Sequence, residues 1–141
     1  MNIPDLRQKA ESGSVVAQSV LGACYLDGND VEVDHGEAFR LLSAAASQGA
    51  SRAAINLARM YAEGLGIPKN LPEAVRLYET AAEAGEFLAQ VELGRINSRG
   101  VGVPVNPGVA RKWYSAAAAQ EASVGDCEEL QEAKAYVTMA S

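Results

Sequence analysis

Apolar residues along the 141-residue chain recur at steps of three and four, in blocks separated by glycine-containing breaks, the periodicity of amphipathic helices. Ala53, Leu57, Met60 and Tyr61 share one face and predict a helix from about Ala50 to Ala62. Gly64-Leu65-Gly66-Ile67-Pro68-Lys69 follows, where glycine admits positive φ and proline cannot continue a helix. Leu65 or Ile67 is expected to fold back toward the core. Asn70 then stands where an N-cap belongs, with Glu73 three residues later, so a reciprocal capping box is expected. Ala74, Leu77, Tyr78, Ala81 and Ala82 give a second apolar stripe, closed by Gly85 as a left-handed C′ residue.

This two-helix pattern repeats every 36 residues. Ala17, Leu21, Tyr25, Gly28, Asp34, Ala38, Ala45, Ala46 and Gly49 precede it in register, and Ala89, Leu93, Asn97, Gly100, Asn106, Ala110, Ala117 and Ala118 follow it. Asp34 with Glu37 repeats the capping box, whereas Asn106 is followed by Val109 and keeps half of it. Each unit reads as a helical hairpin, helix A then helix B, with small alanines permitting close approach. A fixed period of this size marks stacked hairpins that bury their apolar faces against one another and present one long surface. Such a surface binds rather than catalyses.

The order Leu57-Ala58-Arg59-Met60-Tyr61-Ala62-Glu63-Gly64-Leu65-Gly66-Ile67, repeated at Leu21–Gly28 and at Leu93–Val103 with Trp113-Tyr114, resembles the Sel1-like repeat, a relative of the tetratricopeptide repeat. The resemblance covers residues 14 to about 121 and implies an all-α fold, a right-handed α/α solenoid of Sel1-like helix-turn-helix repeats with capping helices. The expected organisation is a cap over 1–13, repeats over 14–49, 50–85 and 86–121, and a second cap over 122–141. Three positions depart from the pattern: Asn97 replaces the tyrosine, Asp30 the second loop glycine of the first copy, and Glu121 the terminal glycine of the third. The first is expected to weaken packing of the third repeat, and the last to mark the end of the array.

The ends agree with this. Leu6, Lys9, Ala10 and Gly13 look like the last turns of a helix B without its helix A. Asp126-Cys127-Glu128-Glu129 reads as a capping box, opening a helix with Leu130, Ala133 and Val137 inward and Glu128, Glu129, Gln131, Glu132 and Lys134 facing water.

Hydrophobic residues make up 48% of the chain and aromatics 6%, which suits close-packed helices more than sheets. A net charge of −6 disfavours nucleic acid and anionic membranes as partners. Cys24 and Cys127 lack both metal-ligand spacing and the pairing of cysteine-rich secreted relatives, so two buried thiols are expected. The opening residues show no leader pattern and no stretch approaches membrane-spanning length, so a cytoplasmic location is expected. The lone histidine, His35, stands beside the Asp34 cap without a nucleophile in its pattern, and the double glycines recur as turns without the lysine of a phosphate loop. Asp27, Asp30, Glu32 and Asp34 crowd one loop but fail the EF-hand spacing. No catalytic residue, metal site or cofactor is therefore expected.

The resemblance implies that helix A lines the concave face. Arg59 and Arg95 share one repeat position, with Arg52 and Arg99 nearby and Asn56, Glu63 and Glu92 interleaved. These seven residues form the candidate partner-binding strip, its guanidinium groups suited to a partner's carboxylates. The same arginines at i, i+3 or i+4 from Glu63 and Glu92 also fit ordinary helix-surface ion pairs. The expected role is a non-catalytic adaptor or scaffold holding an acidic peptide or protein segment, as monomer or homodimer. The alternative that the resemblance supplies is a cognate inhibitor or immunity-type partner of a toxin or effector.

Overall fold

The nine helices found among the described residues, 2–139 of a computed structural model, follow the predicted hairpin order, and no strand interrupts them. Met1, Ala140 and Ser141, the outermost residues of the two expected caps, lie outside the described residues. The helices are α1 Ile3–Glu11, α2 Val15–Asp27, α3 His35–Ser47, α4 Ser51–Glu63, α5 Leu71–Glu83, α6 Phe87–Arg99, α7 Pro107–Ala118, α8 Glu121–Val124 and α9 Glu128–Met139. Thus α2, α4 and α6 are the A helices, and α3, α5 and α7 the B helices. The chain divides into two units, 1–77 and 78–141, with the boundary inside α5.

Side-chain caps start the B helices as the sequence predicts. Asp34, Asn70 and Asn106 accept through Oδ1 from the main-chain N–H of Glu37, Glu73 and Val109, each at 3.1 Å. The reciprocal half of the capping box is not what forms. The N–H groups of Asp34, Asn70 and Asn106 donate instead to the carbonyls of Tyr25, Tyr61 and Asn97, at 2.9, 2.9 and 2.8 Å. Glu37 and Glu73 are thereby released to pair with Arg40 and Arg76 one turn on. The main chain closes every A–B loop alike, so Val109 in place of the acid and Asn97 in place of the tyrosine leave the third loop intact. Gly49 and Gly85 end α3 and α5 at φ of 90° and 92°, the expected left-handed C′ conformation.

In unit 1, Ala10, Ala17, Leu21 and Leu41 are buried together, with Ile3, Leu6 and Tyr25 packed against them. Each leucine so buried contributes about 1.5–3 kcal/mol. Gly22 lets α2 approach α3 so closely that a Cβ there would lie 2.8 Å from Leu42 Cγ. Tyr61, expected as a buried ring, is half-buried and meets Phe39 edge-on at a centroid distance of 6.0 Å. Leu65 and Ile67 are half-buried, as expected of side chains folding back.

In unit 2, Val91, Ala110, Tyr114, Ala117 and Ala133 form the core, flanked by Phe87, Ala118, Tyr136 and Val137. Here α9 packs on α7 and touches α6, as α4 in unit 1 packs on α3 and touches α2. The C-terminal cap therefore takes the place of a next helix A. Residues near Glu121, where the repeat pattern fails, fold into the short α8. The first main-chain bond of α9 runs from Gln131 N to Cys127 O, so Cys127 occupies the N-cap, and Asp126 accepts from Gln131 Nε2 at 2.7 Å rather than opening a capping box. Cys127 is half-buried, against the expectation of burial, while Cys24 is buried as expected; both are free thiols.

A polar tie recurs once in each unit. Buried Gln18 donates to the Ala10 carbonyl at 3.2 Å and accepts from Gln48 Nε2 at 3.2 Å. Buried Gln90 donates to the Ala82 carbonyl at 3.2 Å and accepts from Gln120 Nε2 at 2.8 Å. Each tie satisfies an amide that burial would otherwise strand.

Candidate functional site

The seven strip residues lie on A helices, four in unit 1 and three in unit 2, and each set has its own electrostatics. In unit 1, Arg59 sits one turn before the end of α4. Its Nη2 meets Asp27 Oδ1 at 2.7 Å, across to α2, and its Nε meets Glu63 Oε2 at 3.4 Å along α4. The expected Arg59–Glu63 pair thus forms, and Asp27 joins it. Asn56 is half-buried a turn earlier, and Arg52 is exposed at the start of the same helix. Val16, the counterpart of Arg52 one repeat earlier, is 74% exposed.

In unit 2 the arginine is more enclosed. Arg95 Nη1 donates to Glu92 at 2.7 Å, while Nε and Nη2 grip Glu132 of α9 at 2.9 and 2.8 Å. Tyr114 donates its hydroxyl to the same Glu132 carboxylate at 2.7 Å. Glu132 therefore does not face water as its place on a capping helix suggested: a fork-shaped cation on α6 turns it inward. The Arg95 hydrogen bonds hold the Glu132 carboxyl below the usual carboxylate range, and burial, aided by that carboxylate, pushes the Tyr114 hydroxyl up to about 12. Arg99, exposed at the end of α6, adds to the field that keeps Glu132 ionised. Leu88, in register with Val16 and Arg52, is 52% exposed.

Sequence reasoning found the arginines and missed two of their partners. Asp27 carried a signal, since it occupies the position of Glu63 and Arg99 in the other repeats. Glu132 carried none, because it lies beyond the repeat register. Chemically, Arg59 and Arg95 hold carboxylates of their own chain; Arg52 lies two turns before Arg59 on α4, Leu88 two turns before Arg95 on α6 and Arg99 one turn after it, each of the three exposed. His35 opens α3 half-buried, so close to Gly66 that a Cβ there would fall 2.4 Å from its own. Among the described residues no group of three or more His, Cys, Asp or Glu could hold a metal ion, and no helix is long and apolar enough to cross a membrane.

The Sel1 repeat model matches residues 15–49, 51–86 and 88–121. A Sel1 repeat protein from Oxalobacter formigenes is 39% identical over 96% of this chain and 96% of its own, with a TM-score of 0.78. A protective antigen present in uropathogenic Escherichia coli strains, displaying an SLR fold, is 32% identical with a TM-score of 0.81. The match covers 99% of this chain and 33% of that longer one. Helicobacter pylori cysteine rich protein B shares the fold at 20% identity, covering 94% and 97% of the two chains with a TM-score of 0.70. No curated protein matches the chain.

Proposed function

Because the chain belongs to the Sel1 repeat family, we propose that it is a non-catalytic interaction module that takes a segment of another protein on the helix A side of its repeats. Proteins of this family generally mediate protein–protein interactions, and the repeat is a scaffold without chemistry of its own. The observation that carries the reading is one repeat position on helix A, where Val16, Arg52 and Leu88 are all exposed. Large apolar and guanidinium groups exposed to water are what recognition surfaces present. Asn56 and Glu63 lie further along α4, and Glu92 and Arg99 further along α6, while Arg59 ties α4 to α2 and Arg95 ties α6 to α9. Arg52 and Arg99 are the cations assigned to an acidic segment of the partner.

The test is affinity capture from native lysate with the wild type and with a Val16→Asp, Arg52→Glu, Leu88→Asp variant. These positions are exposed, so the variant folds. Loss of one specific protein in the variant supports the assignment; the same protein held equally by both contradicts it.

A further inference from the structure

The two glutamine ties stand at fixed places in the repeat. Gln18 and Gln48 are 30 residues apart, as are Gln90 and Gln120, one member of each pair on helix A and the other just past helix B. At the same two places repeat 2 has Ala54 and Ala84, whose side chains neither donate nor accept a hydrogen bond. The two positions thus change together, glutamine with glutamine or alanine with alanine. Each tie lies wholly inside one unit. Gln18 fastens α2 to the end of α1 through the Ala10 carbonyl and to the end of α3 through Gln48. Gln90 fastens α6 to the last turn of α5 through the Ala82 carbonyl and to the end of α7 through Gln120. In unit 1 the Ala46 carbonyl, one period on from Ala10, receives no such amide, because residue 54 is alanine. The boundary between the units falls inside α5, the helix B of repeat 2.

We infer that the array consists of two units that open and close separately, parting in repeat 2, where paired alanines replace the paired glutamines. A buried amide held by two bonds opposes any opening that would leave it bare, so each tie makes the helices around it open together. Further ties stay within the units: Arg40 reaches Glu11 at 2.9 Å, joining α3 to α1, and Arg95 grips Glu132 at 2.8 Å. Repeats 1 and 3 are bound in this way and repeat 2 is not, which sets where a local opening stops. The exposed helix A positions divide with the units, Val16 and Arg52 on the first and Leu88 on the second, so one part of that surface can be lost while the other persists. The inference does not depend on what that surface binds.

Hydrogen exchange of the native full chain, read amide by amide by NMR, tests this. Gln48→Ala is expected to lower protection about tenfold in α2 and α3 and to leave α6 and α7 unchanged; Gln120→Ala is expected to do the reverse. Urea unfolding gives a second reading, because Trp113 on α7 belongs to unit 2. Its fluorescence midpoint should stay in place in Gln48→Ala and fall in Gln120→Ala. The role of the alanine pair is tested by a variant carrying Ala54→Gln and Ala84→Gln, in which adding Gln48→Ala is expected to lower protection in both units. Ala54 is buried at 4% exposure, so the two single substitutions decide the matter if that variant fails to fold. Protection lowered equally in both units by either single substitution, or lowered by neither, overturns the inference. A folded glutamine-paired variant in which the effect of Gln48→Ala stays within unit 1 overturns the role given to the alanines.

Discussion

Glu132 on the last helix receives two nitrogens of Arg95, at 2.9 and 2.8 Å, and so joins α9 to α6. Both side chains are 28% exposed, so water screens the pair only in part, and hydrogen bonds of this charged kind contribute about 1.5–3 kcal/mol. Glu132→Gln is expected to destabilise unit 2 by about 2 kcal/mol. Trp113, the only tryptophan and nearly buried on α7, reports this directly in urea unfolding followed by fluorescence. The Arg59–Asp27 pair, 40% exposed on both sides, provides the contrast: Arg59→Gln is expected to lose less than about 1 kcal/mol. Equal effects would contradict this ranking.

The same cluster sets a pH window. Glu132 titrates below its ordinary 4.5 in the folded protein, so its contribution is present above that pH and disappears as pH falls through the depressed folded value. Tyr114 is raised from 10.0 to about 12, so its contribution is present below pH 10 and is lost as pH rises through the folded value. Urea midpoints read from Trp113 should decline at both extremes, with a shallower acid decline in Glu132→Gln. An acid decline identical in the variant would remove Glu132 from the account.

Gln48→Ala removes the donor to buried Gln18 Oε1 and is expected to destabilise unit 1 by about 1–2 kcal/mol. Replacing Gln18 by Met as well removes the stranded amide, so the double variant should lose less than the sum of the two single ones. Thermal or urea unfolding of the four proteins gives the coupling; strict additivity would mean that the two amides do not communicate.

Tyr61→Ala opens a half-buried edge contact with Phe39 rather than a sealed core, so the expected loss is about 2 kcal/mol, below the 3–5 of a fully buried ring. Asn97→Tyr is expected to be neutral or stabilising, because the loop needs only the main-chain carbonyl of residue 97. A large loss in Asn97→Tyr would show that the Asn97 side-chain bond to the Leu93 carbonyl is essential.

The repeat period made the hairpins, their caps and the alanine-lined interfaces legible, because each depends on residues three, four or nine apart within one unit. Contacts between side chains far apart in sequence were not legible. Gln18 gave no hint that Gln48 would meet it, and Glu132 looked like one more solvated acid until α9 was placed on α7. The capping box misled for a related reason: Glu73 can reach the Asn70 N–H, but the Tyr61 carbonyl competes for it and Arg76 competes for the carboxylate. The candidate strip was legible as positions, while the intramolecular partners of its arginines depended on how neighbouring A helices sit.

The central claim, recognition of another protein by the helix A side, is tested most directly by site-specific photo-crosslinking in native lysate. A crosslinking residue is placed at Asn56 or Arg99 on the A helices, and at Arg76 or Arg111 on the B helices. The account predicts one protein crosslinked from both helix A positions and from neither helix B position. Crosslinks to that protein from the helix B positions alone would contradict it.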